Sequence, residues 1–399
     1  MTKTIMPPQP IFSFTIPSVH DGTKLDCRLF YPSSLRDPSQ PGPSWTGHVA
    51  IVAHPYAPLG GCFDDPIVDV IAGTLTLLGY MVATFNFRGA APSTGRTSWT
   101  SRPEQADYVS VVGFLAYYAH HLYDSSPTTR CMSPQHLSTM LLAGYSYGAL
   151  VMMNLPSLDA MLAYFATPAI HTAEADIRLR ALHLAKAQSF YSISPGSPRR
   201  SQGVRFGGDE VSPERRRDGP VSDFHREERV RESVRHLLAR AKLVYRKSIH
   251  WSSHDEADDE LHQCLDKIEG DFKFQSAYLA VSPPVGLMAR LATFSLFNPL
   301  SHSWARRSRP TTDDTALASN PTLVIYGGQD GFISYNKMRE WTRRLSSTSV
   351  SRFHYVEVAG AGHFWVEGNA VYQLRDAIGT FATELTHLPT ASSSTPRVA

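Results

Sequence analysis

Met140-Leu141-Leu142-Ala143-Gly144-Tyr145-Ser146-Tyr147-Gly148-Ala149-Leu150-Val151-Met152-Met153 is the stretch whose reading decides the fold. Its apolar start reads as a buried strand, its end as a helix, and Gly144 to Gly148 as the tight turn between them. Glycines two before and two after the serine let strand and helix approach closely, and the turn forces Ser146 into a sparsely populated backbone conformation. Its hydroxyl would then stand above a sheet, aimed at a carbonyl. The pentapeptide also arises by chance, as an ordinary glycine-rich turn. The two readings separate on whether an acid and then a histidine follow in chain order.

Both follow. Pro321 to Gly327 is an apolar, β-branched run that reads as a buried strand, and it leads into Gly328-Gln329-Asp330-Gly331-Phe332. An amphipathic helix over about 334–345 comes next. Phe353 to Val358 then reads as a second strand, ending in Ala359-Gly360-Ala361-Gly362-His363-Phe364-Trp365. A serine hydroxyl is a weak nucleophile and needs a general base. His363 would take its proton and later return it to the leaving group, while Asp330 would fix the imidazole tautomer and stabilise its charged form. Taken singly, Asp330 is an ordinary turn residue and His363 a solvated one. Order and strand context together favour a catalytic set of Ser146, Asp330 and His363.

A tetrahedral intermediate also needs two fixed N–H donors for its oxyanion. Tyr147, directly after the serine, supplies one candidate. Gly47 to His54 reads as a buried strand, and the loop after it, Pro55-Tyr56-Ala57-Pro58-Leu59-Gly60-Gly61, supplies the second, Tyr56. Asp65-Pro66 beyond it reads as a helix N-cap followed by proline at the first helical position.

These residues resemble the α/β-hydrolase superfamily. The resemblance is closest to its branch related to dienelactone hydrolases, through His54-Pro55, Asn86-Phe87-Arg88-Gly89 and Ser93-Thr94-Gly95-Arg96. It covers about residues 10–156 and 274–385, and departs from the branch where Tyr56-Ala57-Pro58 stands in place of a second His-Pro step. The resemblance implies a Ser-Asp-His hydrolase on a mostly parallel sheet, with no cofactor and no metal.

The chain has 399 residues, 42% of them apolar, a net charge of +2 and four cysteines without a metal or secretory spacing. That composition suits a large core and argues against a nucleic-acid partner. No signal peptide is evident at the N-terminus, and no run reaches the ~18–20 apolar residues of a membrane span. The expected setting is cytoplasmic, the expected partner a small-molecule substrate, with a homodimer open.

Strands alternate with helices up to Pro156 and resume at Ala277 to Ser282, which predicts an α/β fold with right-handed crossovers. The expected organisation is a hydrolase core of 1–156 and 274–388, a helical lid over 157–273 and a disordered tail, 389–399. Within the lid, the Pro-, Ser- and Arg-rich stretch 192–221 reads as disordered. Its Arg215-Arg216-Arg217 run reads as solvated charge before a targeting signal, and Ser197-Pro198-Arg199-Arg200 as a weak kinase-site match. Amphipathic helices are expected through Val230 to Ala241 and again through Leu261, Cys264, Leu265 and Ile268. His250 and His254 share a helical spacing, but no third metal ligand accompanies them. Gly286 to Trp304 is strongly apolar and reads as a helix that partly lines a pocket. The leading expectation is a serine hydrolase for a carboxylic ester or thioester. A peptidase or amidase with the same triad, and a non-catalytic binding protein on this fold, are the alternatives.

Overall fold

The computed structural model describes residues 9–36, 45–98, 100–124, 138–193, 204–206, 264–268, 274–285, 314–348 and 351–387. Among the described residues, nine strands form one sheet: β1 (Phe12–Pro17), β2 (Lys24–Phe30), β3 (Val49–Ala53), β4 (Met81–Phe85), β5 (Ser138–Tyr145), β6 (Val204–Phe206), β7 (Phe274–Val281), β8 (Thr322–Gly327) and β9 (Phe353–Val358). Their order is β6-β1-β2-β4-β3-β5-β7-β8-β9. The β1–β2 and β2–β4 pairs are antiparallel and all others parallel. This order, with its antiparallel second strand, is the α/β-hydrolase fold.

The α-helices among the described residues are α1 (Ser33–Arg36), α2 (Pro66–Leu77), α3 (Arg102–Asp124), α4 (Tyr147–Met153), α5 (Leu158–Ala163), α6 (Ala173–Ile193), α7 (Thr315–Ser319), α8 (Tyr335–Ser346) and α9 (Ala370–Thr386). Every residue of β3, β4, β5 and β8 is buried, because helices cover both faces of the sheet. Alternate residues feed opposite cores. Ile51, Ala83 and Leu142 pack with apolar residues of α3, α4, α5 and α6, whereas Val52, Val82 and Leu141 pack with those of α2 and α9. Asp65 caps α2, accepting from the Ile67 N–H at 2.8 Å with Pro66 in the first turn.

Ala53 lies opposite Gly144, Tyr145 opposite Val281, and Val281 opposite Ile325. The carboxyl ends of β3, β5, β7 and β8 therefore finish level, and their loops emerge along one edge, where such sheets bind ligands.

Three regions differ from the sequence reading. Helix α6, expected in a lid, packs against α3 and β1, with Ile177, Ala181 and Leu184 in the body's core. Arg180 Nη1 donates to the Thr15 carbonyl of β1 at 2.8 Å. Val204–Phe206, inside the segment expected to be disordered, forms β6 on the edge of β1. Residues 265–268 are not helical, and Cys264 forms a bridge with Ala169. Their backbone groups are engaged elsewhere, the Leu265 N–H donating to Pro168 and the Asp266 carbonyl accepting from Arg178. The Arg215–Arg217 run, the Ser197–Arg200 motif, His250, His254 and the apolar stretch 286–304 lie outside the described residues. No helix among the described residues is long and apolar enough to cross a membrane.

Candidate active site

Ser146 sits between β5 and α4 with φ 54° and ψ −116°. Such a backbone costs about 1–3 kcal/mol, and its surroundings hold it there. A Cβ at Gly144 would lie 2.3 Å from the Gly148 carbonyl carbon, and one at Gly148 would lie 2.4 Å from the Ala53 oxygen. Strand, helix and the neighbouring β3 thus meet in a space that admits no side chain. The Ser146 N–H donates to the Val281 carbonyl at 2.8 Å, tying the turn to β7.

The His363 Nε2 lies 2.9 Å from Ser146 Oγ, and its Nδ1 lies 2.7 Å from Asp330 Oδ2. Asp330 and His363 are both buried. The other carboxylate oxygen, Asp330 Oδ1, accepts from the Phe332 N–H at 2.9 Å, so both oxygens are engaged. An ionised carboxylate only accepts, which assigns the imidazole proton to Nδ1 and leaves the Nε2 lone pair facing the serine. The loops bearing acid and base are laced together by Gln329 N–H to the Ala361 carbonyl (2.9 Å) and Gly328 N–H to that of Val358 (2.9 Å).

Two further side chains hold the histidine turn. Tyr145 Oη donates to the His363 carbonyl at 2.8 Å, and burial raises the phenol's pKa, keeping it a donor. Trp365, almost fully buried with φ 59°, donates from Nε1 to Ser282 Oγ at 3.2 Å. Sequence reasoning missed both. Strand alternation carried a signal for Tyr145, since a period of two places it with Leu141 and Ala143, on the face where α9 and the histidine turn pack.

Tyr147 is the first residue of α4, where a helix has no acceptor of its own for the N–H. Tyr56 precedes a single 3₁₀ turn, Ala57–Leu59, and its carbonyl accepts from the N–H groups of Leu59 and Gly61. The two tyrosine rings meet edge to face at 5.1 Å. Behind this loop, His54 Nδ1 donates to the Pro55 carbonyl (2.6 Å) and its Nε2 accepts from the Phe87 N–H (2.9 Å). Burial lowers the His54 pKa to about 4, so the ring is neutral. Asn86 Oδ1 accepts from the Phe63 N–H at 2.7 Å. Arg88 is buried between Asp107 (2.7 Å) and Asp21 (2.9 Å). Burial alone would raise the Asp21 pKa, but hydrogen bonds from Arg88 and Thr23 outweigh it and bring it down to about 2. The His-Pro and Asn-Phe-Arg motifs thus brace the loops around the serine.

No family model matches the chain, and no curated protein matches it. Among solved structures, it is similar to an α/β serine hydrolase without a lid from Xanthomonas campestris, at 16% identity and a TM-score of 0.45, covering 96% of this chain and 100% of that one. Esterase Est1E from Butyrivibrio proteoclasticus gives 12% identity and a TM-score of 0.42, over 94% and 98% of the two chains. An esterase from Pyrococcus furiosus gives 14% and 0.42, over 93% and 91%. Likenesses this distant carry no chemistry to this chain, which rests on the geometry above.

Proposed function

We propose that this chain is a serine hydrolase that cleaves a carboxylic ester or thioester of a small organic substrate through an acyl-enzyme. The observation that carries the reading is the relay from Ser146 Oγ through His363 to Asp330, at 2.9 and 2.7 Å. Ser146 Oγ attacks the carbonyl carbon while His363 Nε2 takes its proton. The carbonyl oxygen becomes an oxyanion held by the Tyr56 and Tyr147 N–H groups. Collapse of the tetrahedral intermediate breaks the bond to the leaving oxygen or sulfur, and His363 returns the proton to it. Water then repeats the cycle on the acyl-enzyme and frees the acid. Asp330 holds the tautomer throughout. The braced His54-Pro55 and Asn86-Phe87-Arg88 loops support a place near the dienelactone-hydrolase branch.

A fluorophosphonate probe tests the reading. It should label the wild-type protein at Ser146, and Ser146→Ala should abolish labelling and lower ester turnover by about a million-fold. Labelling that survives Ser146→Ala would place the reactive nucleophile elsewhere and overturn the reading, and a wild-type protein that never labels would leave a hydrolase-shaped binding protein.

A further inference from the structure

The geometry points to an aromatic subsite for the alcohol half of the substrate, built by Phe332 and Phe364 beside His363. This rests on the hydrolase reading above and names its substrate class: esters of benzylic or similarly flat apolar alcohols. The Phe332 ring lies 4.7 Å from the imidazole and the Phe364 ring 5.5 Å from it, and the two phenyl rings meet at 5.8 Å and 87°. Phe332 and Phe364 are nonetheless more than half exposed, at 52% and 61%, and Val366, on the same turn as Phe364, is 80% exposed. Apolar side chains clustered in water around one functional group mark a binding surface.

The chemistry says which half of the substrate they meet. His363 Nε2 must hand its proton to the leaving oxygen, so the leaving group departs along the imidazole. Phe332 follows Asp330 by two residues and Phe364 adjoins His363, so the rings ride on the loops that carry acid and base. The backbone is arranged to present them. Trp365 takes a positive φ of 59° and sinks inward onto Ser282, leaving its neighbours Phe364 and Val366 facing out. The turn that buries Trp365 in the core thus leaves the residues on either side of it exposed.

The test is an acetate series with methyl, n-butyl and benzyl alcohols. Methanol and benzyl alcohol are nearly equal in acidity, so differences between them report binding and not leaving-group activation. Wild type should favour benzyl over methyl acetate by about 10-fold or more in kcat/KM, mostly through KM. Phe332→Ala and Phe364→Ala should each cut that ratio about 3- to 10-fold, the range of a single aromatic contact. Phe364→Leu, which keeps an apolar side chain on the same turn, should fall between. Fluorophosphonate labelling is followed in parallel for each protein. A labelled, active wild type with a benzyl-to-methyl ratio within twofold of unity overturns the subsite alone, as does a ratio that both alanine variants leave unchanged. A wild type that never labels overturns the hydrolase reading itself.

Discussion

Replacing Asp330 by Asn turns one hydrogen-bond acceptor into a donor at a place where both carboxylate oxygens are in use. Oδ2 receives the His363 Nδ1 proton at 2.7 Å and Oδ1 receives the Phe332 N–H at 2.9 Å. An asparagine has a single oxygen to offer. If that oxygen stays with the Phe332 N–H, the amide NH2 faces Nδ1, which must then give up its proton and accept. The proton moves to Nε2, where it points at Ser146 Oγ, and the base is lost. If the oxygen turns to Nδ1, the NH2 meets the Phe332 N–H, donor against donor. Leaving this part-buried N–H unpaired, against an amide that also donates, costs up to about 1–3 kcal/mol, whereas the imidazole changes tautomer for less. The first arrangement prevails. A triad with the wrong tautomer loses about 10⁴-fold in kcat, equivalent to about 5.5 kcal/mol of transition-state stabilisation. The assay is kcat for a simple alkyl acetate together with the second-order rate of fluorophosphonate labelling, with the melting temperature recorded to exclude unfolding. Both rates should fall together. A variant that retains its melting temperature and loses less than tenfold in either rate would refute the tautomer argument.

Two other outcomes follow from the braces around the site. Tyr145→Phe removes the donor to the buried His363 carbonyl and should lower stability by about 1–2 kcal/mol, read from urea unfolding, with kcat falling several-fold as the histidine turn loosens. His54 titrates near 6.5 when unfolded and about 4 when folded. The unfolded chain therefore binds the proton more readily, so stability is full above pH 6.5 and is lost as pH falls towards 4, by about 3 kcal/mol in all. Unfolding curves across that range should be steeper in pH for wild type than for His54→Gln, whose oxygen keeps an acceptor without titrating. Equal slopes would remove His54 as their source.

The central sheet is legible because buried parallel strands leave apolar runs in the sequence, as in Val49–Ala53 and Thr322–Gly327, and Asp65-Pro66 announces α2 by its own local chemistry. Chain order and strand context name Ser146, Asp330 and His363 as candidates: the first two follow such runs, and the third follows β9, whose Phe353–Val358 run is only partly buried. What stays hidden depends on which surface a segment meets. Helix α6 carries Ala175, Ile177, Ala181 and Leu184, a stripe that would suit a lid or the body equally; only tertiary packing puts it on α3. The three residues of β6 are recruited by the open edge of β1 and carry no pattern of their own. At Cys264 to Ile268, apolar spacing imitates a helix, but one turn is too short for periodicity to outweigh the backbone partners waiting at Pro168 and Ala169. Trp365 is a bulky residue at positive φ, a conformation no propensity would assign to it.

Ser146 and His363 stand 217 positions apart in the polymer. The serine's strand is nonetheless two ladder steps from β8, whose end carries the acid, and three from β9, whose end carries the base. Relative placement of hydroxyl, carboxylate and imidazole is thus indexed by the rungs of the ladder and is indifferent to contour length. The chain between β5 and β7 beyond α6, and between β7 and β8, adds contour length without changing those ladder steps.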